Sequence, residues 1–123
     1  MRVLGARPPL TSFGISMLGP ALLAFGTPEQ KAEHLPRIAR GEIRWCQGYS
    51  EPGAGSDLQG VRTSAKKSGN HYVLQGQKTF ITNGQTANLV IVVAKTDPAA
   101  GAKGTSLIVV ETDECEGFAR GRK

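Results

Sequence analysis

The sequence centres on one glycine-rich stretch, Ser50-Glu51-Pro52-Gly53-Ala54-Gly55-Ser56-Asp57. Pro52 fixes its own φ and favours an extended conformation for Glu51 before it. Gly53 and Gly55 permit positive φ and leave no side chain between the backbone and a ligand lying on it. This composition predicts a bend whose bare N–H groups and small hydroxyls suit a phosphate or a polar ring edge. An ordinary loop between two strands is the alternative, because short motifs often match by chance.

Two familiar nucleotide-binding motifs are excluded by the spacing of the glycines. A dinucleotide fingerprint requires G-x-G-x-x-G between a strand and a helix, whereas the glycines here are at positions 53, 55 and 60. A triphosphate-binding loop requires G-K-[ST], and Gly60 is followed by Val61 and Arg62. Any ligand of this stretch must therefore be held in another way.

Helices are predicted before this stretch and strands after it. Apolar residues three and four positions apart predict a helix over residues 9–25, and Thr27-Pro28-Glu29-Gln30 predicts the capped start of a second. We expect Pro36 to split the second helix and Gly41 to end it. Residues 44–49 are expected to be extended, and residues 98–104 to form a loop. Five strands are predicted at residues 61–66, 72–75, 78–82, 89–95 and 105–111. The fold class is therefore α+β, a helical segment followed by antiparallel strands.

Composition and charge favour an ordinary protein surface. The net charge of +5 is spread thinly, and its longest basic runs, Lys66-Lys67 and 120–123, contain no interleaved aromatic residues. A nucleic-acid site is therefore disfavoured, whereas a small anionic ligand fits equally well. The two cysteines are expected to be free and buried, and neither histidine has metal-ligand partners at a suitable spacing, so no metal site is inferred. No segment reaches membrane-spanning length, and the default compartment is the cytoplasm.

The strands predicted after residue 60 lack a closing partner. Two of them, the continuous apolar run at residues 89–95 and the strand at residues 105–111, are expected to be buried. Without a further strand or a covering layer, the edges of these strands stay exposed. The leading helices likewise have an apolar stripe with little helical partner. We expect the chain to be a piece of a larger protein, or a subunit that borrows missing parts.

Three stretches together resemble the acyl-CoA dehydrogenase family of flavoenzymes. Residues 29–36, followed by Gly41-Glu42, are similar to the helix that leads into the middle domain of that family. Residues 50–57 are similar to its [TS]-E-P-x-A-G-S-D loop, and residues 76–84 to its G-x-K-x-[WF]-I-[TS]-N segment. The three occur in the family's order and spacing, and the resemblance extends over nearly all of the chain from about Leu18, being nearest the long-chain members.

This resemblance implies the organisation of the protein. Residues 1–44 would be the end of an N-terminal helical domain, and residues 45–123 an incomplete middle β-barrel domain. The C-terminal domain, which carries the family's catalytic glutamate, would be absent, so no catalytic residue is assigned and the chain alone should not turn over. Glu51 is interpreted as a structural residue that holds the turn. Members of this family are usually tetramers, and a eukaryotic member would lie in the mitochondrial matrix.

The resemblance also implies residue roles around FAD. Ser50 matches a hydroxyl at the pyrimidine edge of the flavin, and Gln47 and Tyr49 match residues lining the same ring. Gly55 and Ser56 match the turn near the pyrophosphate, with Ser56 also at the mouth of the acyl-CoA pocket. The segment 80–82 supplies the rest of the site. Phe80 matches the aromatic residue that packs on the ring, where tryptophan is the commoner residue, Thr82 matches the hydroxyl near N5, and Ile81 lies between them.

The activity implied is α,β-dehydrogenation of acyl-CoA thioesters. Hydride would pass from Cβ to flavin N5, and electrons would leave through an electron-transfer flavoprotein. An acyl-CoA oxidase-like relative that passes electrons to oxygen is an alternative. A non-catalytic β-barrel binding module that no longer holds flavin is another. The sequence alone does not give the preferred acyl chain length.

Overall fold

A computed structural model describes residues 13–121 of the chain. The chain divides into two compact units, Met1–Trp45 and Cys46–Lys123. Each unit is built from a different type of secondary structure, helical in the first and largely β in the second. The predicted α+β class is therefore confirmed.

The first unit consists of helical elements. A π-helical turn over Gly14–Leu18 leads into helix α1, Gly19–Phe25, and helix α2 spans Pro28–Arg40. The helix predicted over residues 9–25 is thus present from the start of the described part, while residues 9–12 lie outside it. Leu18 and Leu22 are buried, as the three- and four-residue apolar spacing predicted.

Helix α2 has the capping box that its sequence predicted. The Thr27 hydroxyl accepts a hydrogen bond from the Gln30 amide at 3.3 Å, and the Thr27 amide donates to Gln30 Oε1 at 3.0 Å. Gly41, with φ of +71°, ends the helix. The prediction that Pro36 splits it was wrong. Proline removes only one intrahelical hydrogen bond, and the capped ends together with the buried side chains of His34 and Ile38 hold the helix in one piece.

The second unit is built on a five-stranded sheet. The strands are β1, Trp45–Gly48; β2, Ser64–Ser68; β3, His71–Gln75; β4, Leu89–Lys95; and β5, Thr105–Glu111. Strand β4 pairs with β1, β2 and β5, and β3 pairs with β2 in an antiparallel hairpin. The β4–β5 pairing is antiparallel along its whole length, whereas β2 meets β4 in parallel at Ser64 and Lys95. The sheet is therefore mixed, because the β2–β4 pairing departs from the predicted antiparallel pattern.

The strand predicted at residues 78–82 is not formed. These residues belong to an irregular connection between β3 and β4, in which Phe80 and Asn83 have φ of +54° and +65°. Left-handed backbone is incompatible with an extended strand, so the prediction of a strand here was wrong. The loop predicted at Pro98–Gly104 contains turns of 3-10 helix, with the Asp97 carboxylate accepting a hydrogen bond from the Ala99 amide.

Strand β4 forms the centre of the core. Its residues from Leu89 to Ala94 are all buried, as the continuous apolar run predicted. Cys46, Ala65 and Ala87 pack in the same cluster. Strand β5 is only half-buried, contrary to expectation, because it pairs with β4 at the side of the sheet. Cys46 is buried and free as predicted, whereas Cys115 is free but exposed.

Candidate functional site

The glycine-rich stretch forms a tight bend. The Glu51 amide donates to the Ala54 carbonyl at 2.8 Å, and the Ala54 amide donates to the Glu51 carbonyl at 3.1 Å, closing a turn around residues 52–53. Neither Gly53 nor Gly55 has positive φ, so the predicted use of their conformational freedom was wrong. Their second predicted property is present, because a Cβ added to either residue would meet nothing within 4 Å. The outer face of the bend is therefore bare backbone.

The Glu51 side chain points inward and joins the bend to residues 62–63. Its carboxylate accepts hydrogen bonds from the Arg62 amide at 2.7 Å and from the Thr63 amide at 3.0 Å. It also accepts one from the Thr63 hydroxyl at 2.5 Å. The carboxylate is buried, and these donors replace the water that burial removes. The structural role predicted for Glu51 is confirmed.

A lysine completes this network. Lys78 Nζ donates to Glu51 Oε1 at 2.8 Å, to the Tyr49 carbonyl at 3.0 Å and to the Val93 carbonyl at 2.8 Å. An ammonium group has three N–H donors, so every donor of Lys78 has an acceptor. These three hydrogen bonds link the segment between β3 and β4 to the bend and to the central strand β4. Lys78 was predicted to begin a strand and was given no role in the site, because its three acceptors are distant in the sequence.

The Glu51 carboxylate is ionised at neutral pH. Burial by itself raises the pKa of a carboxyl group, but the hydrogen bonds from Lys78, from the Thr63 hydroxyl and from the amides of Arg62 and Thr63 outweigh it. The pKa of Glu51 is thereby lowered from 4.5 to about 2. A carboxylate so firmly held is a poor proton acceptor at neutral pH, which excludes Glu51 as a general base.

The connection between β3 and β4 lies next to the bend. The Thr79 amide donates to the Ser50 carbonyl at 2.9 Å, directly after Lys78. Phe80 follows, a residue that is 98% exposed and whose backbone lies in the left-handed region. A turn over Ile81–Gly84 then closes with a hydrogen bond from the Gly84 amide to the Ile81 carbonyl at 2.9 Å. A bulky side chain that is both exposed and conformationally strained suggests a functional constraint at this position.

The structure brings some of the predicted site residues together. Ser50 is joined to the segment 79–80 through its carbonyl, and Tyr49 packs on the small cluster of Ala54, Val61 and Val93. Gln47, on β1, and Ile81 are half-buried. The other predicted residues, Gly55, Ser56, Phe80 and Thr82, are exposed. They are accessible to a ligand, but within residues 13–121 no hydrogen bond joins Ser56 to the segment 80–82.

The exposed groups around the bend suit a ligand with one apolar face and one polar edge. A flavin presents a flat apolar face and a polar edge with hydrogen-bond acceptors. An exposed phenylalanine ring suits the face, and accessible hydroxyls beside side-chain-free backbone suit the edge.

No helix in the described residues 13–121 is long and apolar enough to cross a membrane.

Comparison with known proteins gives matches along both units. The model of the acyl-CoA dehydrogenase middle domain matches residues 46–123, and that of the acyl-CoA dehydrogenase N-terminal domain matches residues 2–42. Among curated relatives, the mitochondrial long-chain specific acyl-CoA dehydrogenase of Mus musculus is 48% identical over 106 residues, which are 85% of this chain and 24% of that protein. The acyl-CoA dehydrogenase IpdE1 of Mycobacterium tuberculosis is 44% identical over 103 residues, 83% of this chain and 27% of that protein.

A solved structure gives the same result for the fold. The crystal structure of an acyl-CoA dehydrogenase from Geobacillus kaustophilus superposes with a TM-score of 0.84 at 46% identity, covering 90% of this chain and 30% of that one. The chain thus spans about a quarter of the length of the curated relatives it matches. On the two domain matches, which together cover nearly the whole sequence, the chain belongs to the acyl-CoA dehydrogenase family.

Proposed function

We propose that this chain supplies one wall of an FAD site in a protein that introduces an α,β double bond into an acyl-CoA thioester. The observation that carries the proposal is the hydrogen bond between the Thr79 amide and the Ser50 carbonyl. It brings the backbone of Phe80, the next residue, close to the bare bend, and the Phe80 side chain is exposed. Family membership supports the same chemistry. The domain boundary would lie between residues 44 and 45.

Each of the predicted site residues would contact a different part of the cofactor. Phe80 would cover one face of the ring, with Ile81 and Thr82 beside it, and Ser50 would donate its hydroxyl to the pyrimidine edge. Gln47 and Tyr49 would line the ring from the side of β1. Gly55 and Ser56 would lie near the pyrophosphate, where exposed backbone lets an anionic group approach closely. Ser56 would also lie at the mouth of the acyl-CoA pocket.

When bound, FAD would supply a two-electron acceptor for the hydride that leaves the substrate Cβ. The residues of this chain would orient that acceptor and donate hydrogen bonds where negative charge develops. The apolar ring of Phe80 would exclude water from one face. We assign no catalytic base within the described residues, and Glu51 is excluded by its bonds and its low pKa.

Substrate and partners follow from the same proposal. The substrate class is acyl-CoA, and the electron acceptor is an electron-transfer flavoprotein, with the protein acting as a homo-oligomer such as a tetramer. A soluble location is expected, the mitochondrial matrix in a eukaryote or the cytoplasm in a bacterium. Peroxide release during turnover would instead indicate an acyl-CoA oxidase-like protein.

FAD binding is the experiment that tests the proposal. We expect FAD at one hundred times its dissociation constant to raise the free energy of unfolding by about 2.7 kcal/mol, and bound flavin to show a shifted absorbance spectrum. Phe80→Ala should weaken this binding, whereas Leu107→Ala, which also removes an exposed apolar side chain, should not. A colourless protein that gains no stability from FAD would contradict the proposal and favour a binding module without flavin.

A further inference from the structure

One buried ion pair joins the two stretches proposed to face the flavin. Glu51 lies in the bend, Lys78 begins the segment that carries Phe80, and their charged atoms are 2.8 Å apart. Their side chains are only 6% and 13% exposed. Buried ion pairs often add little net stability over apolar residues of the same volume, and fixing one arrangement of the chain is a better-attested use. A role in arrangement is therefore the first to consider.

The contacts of Lys78 bracket Ser50. Its ammonium group donates to the carbonyl of Tyr49, one residue before Ser50, and to the carboxylate of Glu51, one residue after it. Its third bond reaches the Val93 carbonyl in the middle of the fully buried strand β4. The serine is therefore held on both sides against the core.

The same lysine fixes the other stretch. Thr79, the next residue, donates its amide to the Ser50 carbonyl at 2.9 Å, and Phe80 follows at once. Two consecutive residues before Phe80 are thus bonded to the bend, Lys78 through its side chain and Thr79 through its amide. These bonds fix the distance between Ser50 and the backbone of Phe80. Loss of the Lys78 ammonium group would remove three hydrogen bonds that fix this segment, and the Thr79–Ser50 bond would remain.

We propose that Glu51 and Lys78 are positioning residues that hold Ser50 and Phe80 in fixed register on the flavin, and that their balanced charges keep the ring's surroundings neutral. This inference rests on the FAD site proposed above. It assigns a role to two residues that touch neither the cofactor nor the substrate. Their effect on the flavin is exerted through the backbone and through their electrostatic field.

The charges give the proposal a distinctive signature. Lys78→Met leaves the Glu51 carboxylate without its cation, and a negative charge near the flavin disfavours electron uptake. Glu51→Gln leaves the Lys78 ammonium without its anion, and a positive charge favours electron uptake. The two variants should therefore move the flavin midpoint potential in opposite directions. Simple loosening of the fold would not produce opposite signs.

The test compares FAD-loaded protein of the wild type, Lys78→Met, Glu51→Gln and a control, Lys66→Met. Lys66 lies exposed on β2, so its variant removes the same charge away from the site. We expect both site variants to bind FAD on the order of tenfold more weakly, because each loses a charged hydrogen bond that holds Ser50 and Phe80 in place. Their midpoint potentials should shift in opposite directions, and the Thr79 amide should exchange faster with solvent in both. Lys66→Met should behave as the wild type does.

Three results would overturn the positioning role. One is wild-type affinity and potential in both folded variants, and another is a shift of both potentials in the same direction. If a single variant fails to fold, the double variant Glu51→Gln/Lys78→Met replaces it, and we expect near-wild-type potential with weakened affinity. The third result that would overturn the positioning role is wild-type affinity for FAD in that double variant. Failure of the wild type itself to bind FAD would refute the proposed function, and that outcome is distinct from the other three.

Discussion

The buried carboxylate of Glu51 makes the stability of this chain depend on pH in a defined way. Its pKa is lowered from 4.5 to about 2 by the hydrogen bonds of Lys78 and Thr63, against the opposing effect of burial. A tenfold change in proton affinity is worth about 1.4 kcal/mol, so folding gains about 3 kcal/mol from keeping this group ionised. Removal of one partner from a buried ion pair costs a similar amount, about 3–5 kcal/mol.

The sign of the effect follows from the lowered pKa. A group whose pKa is lower in the folded state contributes stability above its unfolded pKa and loses it as pH falls towards its folded pKa. The contribution of Glu51 should thus be complete at neutral pH and disappear between about 4.5 and about 2. Glu51→Gln removes the titrating group while keeping the size of the side chain. The two proteins share every other acidic group, so their difference reports Glu51 alone.

Urea unfolding at a series of pH values, followed by circular dichroism, measures that difference. We expect the variant to be less stable by about 3 kcal/mol at neutral pH, and the gap to close as pH falls to about 2. Glu42→Gln is the matched control, because its partner Arg40 is exposed and the exposed pair should add little. A gap below about 1 kcal/mol at neutral pH, the size of a surface pair, would refute the reasoning, as would a gap that does not change with pH.

Three further predictions concern other positions. Gly104→Ala should destabilise the second unit by about 1–3 kcal/mol in urea unfolding, because the new Cβ would lie 1.7 Å from the Asp97 carbonyl oxygen. Gly53→Ala, whose Cβ would meet nothing within 4 Å, is the control, and equal losses of stability in the two variants would contradict the prediction. Thr27→Ala should cost about 1 kcal/mol through loss of the helix cap, while Thr27→Ser should not, and unchanged unfolding of the alanine variant would show the capping box to be unimportant. Phe80→Gly should raise the free energy of unfolding by about 1 kcal/mol, because glycine adopts the left-handed backbone without strain, and it should weaken FAD binding. If the variant loses both stability and FAD affinity, Phe80 is a packing residue.

Much of the fold could be predicted because local signals agreed with tertiary packing. The Thr27 capping box and the continuous apolar run of β4 each have a direct physical meaning, and both are present in the structure. The prediction failed where a local rule competed with long-range contacts. Pro36 does not break α2, and the segment 78–82 is irregular because Lys78 and Thr79 are bound to the bend rather than to a neighbouring strand.

The candidate site was less accessible to sequence reasoning. The structural role of Glu51 could be predicted from its place in the motif, but its partners, at positions 62, 63 and 78, are distant in the chain. Gly53 and Gly55 suggested positive φ, which the structure instead places at Phe80 and Asn83. A residue type indicates which backbone conformations are allowed, and the surrounding contacts determine which one is adopted.

The most direct test of the flavin site is a titration of isotope-labelled protein with FAD, followed by amide chemical shifts. We expect the amides of Ser50, Ser56, Phe80 and Thr82 to shift together and to saturate with a single dissociation constant. Shifts confined to the β2–β3 hairpin, or no saturable shifts at all, would contradict it.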